Sequence, residues 1–302
     1  MTRARSMVSR RLGAPGIRDV AGAATLGDAV KYLGATAYGH DLAPRAGLAA
    51  AQRSVAATLL WHLRVLAGWQ PRTGTAALRL LASGFEIANI DARLRALSAP
   101  EQPPGPPPYR LGALATAWPR LSAATSPDGL RAGLAGSAWG DPGDGSPAAV
   151  ATGLRISAAQ RTAAAVPQAA RWAAGRLALL VGREVFLTGR RLTEPSTRRA
   201  ARVLGPETMG AGSWAEFAGR LPATARWAVA GVEEPAGLWR AELRWWTRLE
   251  QDGLELLRDA GLDSSPVVGA VAVLSADAWR VRAALELAAR GGGSPEVLDA
   301  PV

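Results

Sequence analysis

The amino-acid sequence predicts an all-α protein. Apolar residues recur at three- and four-residue spacing in one segment after another. No run alternates apolar and polar residues as a half-buried strand would. Cap residues, glycines and prolines fall where the periodic segments begin and end.

The elements follow in order. Thr25 can cap a helix with Asp28 at its third position, Leu26, Val30 and Leu33 on one face and Gly34 as its stop. A helix from about Leu48 to Leu66 carries Val55, Leu59, Leu63 and Leu66, and Gly68 and Pro71 end it. A third spans about Thr75 to Leu97, with Leu80, Gly84, Ile87 and Leu94 along a stripe and Asp91 at its edge. The stretch SAPEQPPGPPP at 98–108 cannot be helical and reads as an extended linker. Loops are expected at Gly140–Ser146 and Thr193–Thr197.

Ser126-Pro127, Ser146-Pro147 and Ser265-Pro266 each place a cap before proline at the first helical position. Ser213 with Glu216 forms a capping box. Glu233, Glu234 and Pro235 open a helix with acid at its positive end. Trp239, Leu243, Trp246, Leu249, Gly253 and Leu256 should line its apolar side, with Arg258 and Gly261 closing it. A last helix should start near Ser275, carry Trp279, Arg282 and Glu286, and stop at Gly291–Gly293. The expectation is ten to twelve helices in three blocks of broadly similar size: residues 1–98, 109–195 and 198–302, with 98–108 as linker. No fixed 34- or 40-residue period supports a solenoid.

Composition narrows the function. The 302 residues are 48% apolar, enough for a core, though many are alanines that make it thin-walled. Without cysteine there are no disulfides, thiolate metal sites or cysteine nucleophiles. The net charge is +10, carried by 34 arginines and the single lysine Lys31, which follows Val30 and so forms no phosphate-cradling P-loop. Arginine dominance reads as the codon bias of a GC-rich genome, which weakens the link from charge to nucleic acid while still favouring an acidic partner. The best apolar run, Pro266 to Leu274, is half of a membrane span. The opening MTRARSMVSRRLG lacks the apolar stretch of a secretory signal.

Few residues invite chemistry. His40 and His62 lie apart, without a second ligand nearby, and read as packing or surface histidines. Gly210-Ala-Gly212 loosely fits a dinucleotide fingerprint, but what precedes it is no strand. Asp141/Asp144 sit in a Gly/Pro turn and Glu233/Glu234 at a helix start, where acids are expected anyway. The eleven tryptophans read mainly as core fillers, with Trp245-Trp246 sending one indole inward and one away. Two basic clusters stand out: Arg3, Arg5, Arg10 and Arg11, and Arg190, Arg191, Arg198, Arg199 and Arg202. The second lacks the interleaved aromatics of a single-strand nucleic-acid platform. No catalytic, cofactor-binding or metal-ligating residue is expected. Gly39, after a helix stop, is expected at positive φ.

Four stretches resemble a known family. Arg3-Ala-Arg-Ser-Met-Val-Ser-Arg-Arg-Leu12 is similar to the "ARVRAM-x-SRLL" opening of the C-type subunit of V-type (archaeal/bacterial A-type) rotary ATPases, a relative of the d-type subunit of the eukaryotic V-ATPase. Leu33-Gly-Ala-Thr36-Ala-Tyr38-Gly39-His-Asp41-Leu42 resembles the family's "L-x-x-T-x-YG-x-E/D-L". Glu86-Ile-Ala-Asn89-Ile90 with Leu94-Arg95 resembles its "E-x-x-N-L/I-x-x-x-LR", of which Gly182-Arg-Glu184-Val185 keeps the glutamate alone. Pro266 to Leu274, then Asp277, Trp279 and Arg282, resembles its proline-led short helix, acidic turn and final helix. The resemblance implies a funnel of three related helical domains and no enzyme. It implies a peripheral protein on the cytoplasmic face, seated on the membrane proteolipid ring and receiving the central-stalk shaft. Through it torque would pass in ATP-linked ion or proton transport, for ATP synthesis or hydrolysis. It implies no cofactor, small-molecule substrate or nucleic acid. The rival reading is an arginine-rich helical nucleic-acid-binding protein.

Overall fold

The computed structural model describes residues 2–258 and 264–293. Among them the fold is all-helical, 73% helix with no strand, as the periodicity predicts. No helix among them is long and apolar enough to cross a membrane. Gly261, expected to close a helix, lies outside the described residues.

The chain forms two compact units, residues 1–70 with 246–302, and residues 71–245. In the first, the helix Ser265–Ala289 is the central element. Gly13–Ala21, Leu26–Gly34 and Leu48–Gly68 pack on it. Ala278, Val281, Ala284, Leu285 and Ala288 meet Ile17, Val20, Leu33 and Val55 in one core. The helix is apolar almost all round because it is buried on most sides. A Cβ on Gly269 would lie 2.6 Å from the Gly253 carbonyl oxygen, so the crossing with Leu238–Arg258 is closer than any side chain permits.

In the second unit Pro147–Ala165 is central, covered by Ser83–Ser98, Ala170–Val181 and Glu194–Leu204. Ile87, Ile90 and Leu94 meet Leu121, Leu130, Leu134, Trp139, Val150 and Leu154. The proline-rich stretch 98–108 lies within this unit. The chain's sole asparagine fastens its end: Asn89 donates to the Tyr109 carbonyl at 2.9 Å and accepts the Tyr109 N–H at 2.7 Å. Ala170–Val181 continues into a π turn, Gly182–Leu187.

The expected caps form at Thr25, Ser126, Ser146 and Ser213, each accepting the N–H three residues on. Several expectations are corrected. The helix expected from Thr75 to Leu97 is two, Arg72–Leu81 and Ser83–Ser98, because the Ala82 backbone (φ −88°, ψ 1°) leaves the helical region. The Thr193–Thr197 loop is instead the start of Glu194–Leu204, with Thr193 flanking it and Pro195 in its first turn. Ser265 is itself helical, with Ser264 flanking. The C-terminal short helix, acidic turn and final helix are one continuous helix. Asp277 lies in its middle, and its carboxylate reaches across to other segments of the chain. In Leu238–Arg258 the buried stripe is Leu238, Ala241, Trp245, Leu249, Gly253 and Leu257, and Trp239 is exposed. Gly39 is not among the glycines with positive φ; its need for glycine is steric, because an added Cβ would meet the Gly34 backbone.

Candidate functional site

Each unit holds a buried carboxylate that gathers donors from a distant stretch of chain. Asp277, 1% exposed, accepts the Gly13 N–H on Oδ1 at 2.8 Å. Its Oδ2 accepts the Leu12 N–H at 3.0 Å and the Tyr38 hydroxyl at 2.7 Å. Glu86, also 1% exposed, accepts on Oε1 the N–H groups of Ala117 (2.7 Å) and Trp118 (2.8 Å) and the Trp139 indole N–H (3.1 Å). Its Oε2 accepts the Thr116 N–H. Charge-assisted bonds to successive backbone donors are the strong kind, and they make burial of these carboxylates tolerable.

The likeness between the two clusters extends along the chain. Residues 25–39 read TLGDAVKYLGATAYG, and residues 126–140 read SPDGLRAGLAGSAWG. Thr25 and Ser126 cap a helix; Leu33 and Leu134 are its buried anchors. The Thr36 hydroxyl donates to the Leu33 carbonyl at 2.8 Å and accepts the Tyr38 N–H at 3.2 Å. Ser137 does the same with Leu134 (2.8 Å) and Trp139 (3.1 Å). That turn delivers the aromatic ring to the carboxylate in both units. A looser third copy begins at Ser213, with Leu221, Thr224 and Ala225 at matching positions. There Pro222 interrupts the helix and Arg226 replaces the aromatic residue. The corresponding acid, Glu184, pairs instead with Arg190 at 3.4 Å.

These carboxylates hold distant parts of their own chain: Asp277 accepts three donors and Glu86 four. Burial, then Asp277, pushes the Tyr38 hydroxyl well above the ordinary tyrosine range, so it remains a donor. His62 is buried, with its imidazole lowered by burial first and Arg10 second, while Asp277 acts in the opposite sense. His40 lies 6.2 Å from the Trp61 ring and takes no part in these clusters.

The structure separates the arginines that sequence reasoning grouped. In the first cluster Arg3 stacks over Trp69 (4.9 Å) and Arg5 donates to the Leu257 carbonyl (2.9 Å). In the second, Arg190, Arg191, Arg198 and Arg202 are exposed, and Arg198 pairs with Glu194 one turn away. Arg199 folds inward, donates to the Asp141 carbonyl at 2.9 Å and packs on Gly140; burial lowers its guanidinium from the ordinary arginine value. It is therefore a packing residue and not part of an exposed charged face.

The remaining candidates hold loops. Asp141 pairs with Arg131 at 3.1 Å and accepts the Gly143 N–H, and Asp144 accepts the Ser146 N–H. Glu233 and Glu234 lie before the turn Pro235–Gly237. Gly210–Gly212 joins the helix Pro206–Met209 to the capped helix Trp214–Arg220. Trp139, Trp172, Trp214 and Trp245 are core residues, whereas Trp61, Trp69 and Trp239 are exposed. Trp246 stacks on Trp279 with centroids 5.2 Å apart.

Sequence reasoning missed both carboxylate clusters. The signal was the Thr-Ala-Tyr-Gly and Ser-Ala-Trp-Gly pair, each trailing a capped helix by the same distance, together with single acids inside apolar stripes. No family model matches this chain, and no curated protein matches it.

Proposed function

We propose that this chain is the non-catalytic central-stalk adaptor of a V/A-type rotary ATPase, coupling the rotor shaft to the membrane proteolipid ring. One observation supports the reading above the rest. Five of the residues that carry the resemblance make polar fastenings within the fold. Thr36 turns the chain, Tyr38 reaches Asp277, Glu86 gathers four donors and Asn89 pins the linker. The recurrence of the capped helix and its aromatic turn at 25–39, 126–140 and, more loosely, from 213 supports three related domains, which the funnel arrangement requires. Such an adaptor sits on the cytoplasmic face, works through protein contacts and needs no cofactor.

The experiment is affinity purification of the native protein from gently solubilised membranes, with its companions identified. Recovery of shaft, ring and ATP-hydrolysing proteins in fixed proportion is the expected result. Recovery free of these ATPase components, with nucleic acid retained at physiological salt and shed steeply as salt rises, would replace this reading with the nucleic-acid one.

A further inference from the structure

A cleft in the second unit lies where two helices begin, Pro147–Ala165 and Glu194–Leu204. Arg190 and Arg191 line it, with Thr152, Ser196, Asp144 and the buried Glu184. Glu184 sits on the π turn Gly182–Leu187, an irregularity that concentrates at functional positions. We propose that this cleft binds a phosphate-class oxyanion.

Three independent features point there. Thr152 is only 6% exposed, yet its hydroxyl finds no hydrogen-bond partner among the described residues and it faces the cleft. The residue is buried but its hydroxyl is not closed off from solvent, so it stands as a donor available to a ligand in the cleft. The N–H groups of Ala148 and Ser196, in the first turns of the two helices, also find no acceptor among the described residues. Two helices of 19 and 11 residues therefore bring their positive ends to one place. Arg191, finally, is exposed and has no ion pair among the described residues.

The acids in the wall do not cancel this. Glu184 is taken up by Arg190 at 3.4 Å, and Asp144 accepts the Ser146 N–H at 2.8 Å. What remains, among the described residues, is the Arg191 guanidinium, which Asp144 balances in formal charge across the wall, with two helix starts and a set of donors without matching acceptors. That inventory suits a ligand rich in acceptors and negatively charged, and it does not suit a metal cation or an amine. The inference is separate from the adaptor reading and survives if that reading fails.

The test is calorimetric titration of inorganic phosphate into the full chain at low ionic strength, with glycerol 3-phosphate as a second arm. A saturable single site is expected. Arg191→Gln should weaken it roughly tenfold, the worth of one charged hydrogen bond. Thr152→Val, nearly isosteric, should weaken it about threefold to tenfold, the worth of one neutral bond. Arg72→Gln, an exposed arginine outside the cleft, should leave it unchanged. Tighter binding of the ester identifies a phosphomonoester ligand; preference for inorganic phosphate identifies the free ion. No saturable binding at millimolar phosphate overturns the proposal. So does equal weakening by Arg191→Gln and Arg72→Gln, which would mean a diffuse charge effect, or unchanged affinity in both cleft variants.

Discussion

Glu86→Gln exchanges one oxygen of a buried carboxylate for an amide nitrogen and leaves the shape intact. Oε1 accepts three donors and Oε2 one, so the amide keeps most by placing its oxygen at the Oε1 position. Its NH2 then faces the Thr116 N–H, donor against donor. That removes one hydrogen bond to a charged acceptor, worth about 1.5–3 kcal/mol, and strands a donor. The three retained bonds drop from charge-assisted to neutral strength, a further loss of several tenths to about 1 kcal/mol each. Solvent gives no relief at 1% exposure. Arg161, held 5.4 Å over the Trp139 ring with a buried Nη1 that lacks a partner, loses its nearby anion as well. The sum is about 4 kcal/mol, within the range for breaking a buried ionic cluster. For units of this size each kcal/mol moves the melting point by about 2–4 °C, so a drop of roughly 8–16 °C is expected. Thermal melting followed by circular dichroism reads it directly. Trp139→Phe, which removes one donor and keeps most of the ring's bulk, should cost about 1–2 kcal/mol. If Glu86→Gln melts within about 2 °C of the parent, less than 1 kcal/mol on that scale, the carboxylate carries none of the stability assigned to it and the argument from its four donors is wrong.

A Cβ on Gly39 would lie 2.8 Å from the Gly34 carbonyl carbon and 3.0 Å from its Cα, with the oxygen closer still. Gly39→Ala should therefore cost about 2 kcal/mol in chemical denaturation, as forced overpacking does. Gly34→Ala, where the added methyl meets nothing within 4 Å, should be neutral or slightly stabilising, and equal effects would show that the turn yields freely. His62 is the third site to probe. Its unfolded imidazole protonates near pH 6.5, and the buried one only at lower pH. Between those values the unfolded state binds more protons. The His62 contribution is thus whole above pH 6.5 and is lost as pH falls below it. Urea midpoints at about pH 7.5 and about pH 5.5, on either side of the free imidazole's value, should converge in His62→Phe relative to the parent; an unchanged pH dependence would refute the assignment.

The helical content, the cap residues and the long helix Leu48–Gly68 were legible because each is local: a hydroxyl three residues from an N–H, or an apolar stripe at fixed spacing. What was illegible depended on distant chain. Asp277 read as an acidic turn because its donors, Leu12, Gly13 and Tyr38, lie more than two hundred residues away. Glu86 and Asn89 interrupt an apolar stripe, and only the return of residues 109–139 shows what they hold. The stripe of Leu238–Arg258 was right only at Leu249 and Gly253, because the many tryptophans let two adjacent faces look apolar. Nothing local distinguishes Arg199 from Arg198; the Asp141 carbonyl that captures it comes from another loop. The cleft beside Arg191 joins the starts of two helices with a turn at the end of a third, a juxtaposition that no single stretch encodes.

The fastening of Tyr38 to Asp277 spans 239 residues, and it sets a timetable for the growing chain. At about 5–20 residues per second on the ribosome, the opening helices wait roughly 10–50 s for the helix they pack against. During that interval Ile17, Val20, Leu33 and Val55 have no central helix to cover them. Residues 71–245 have meanwhile all been synthesised and can close their own core first. The apolar faces of the nascent N-terminal segment thus stay uncovered until the last helix arrives.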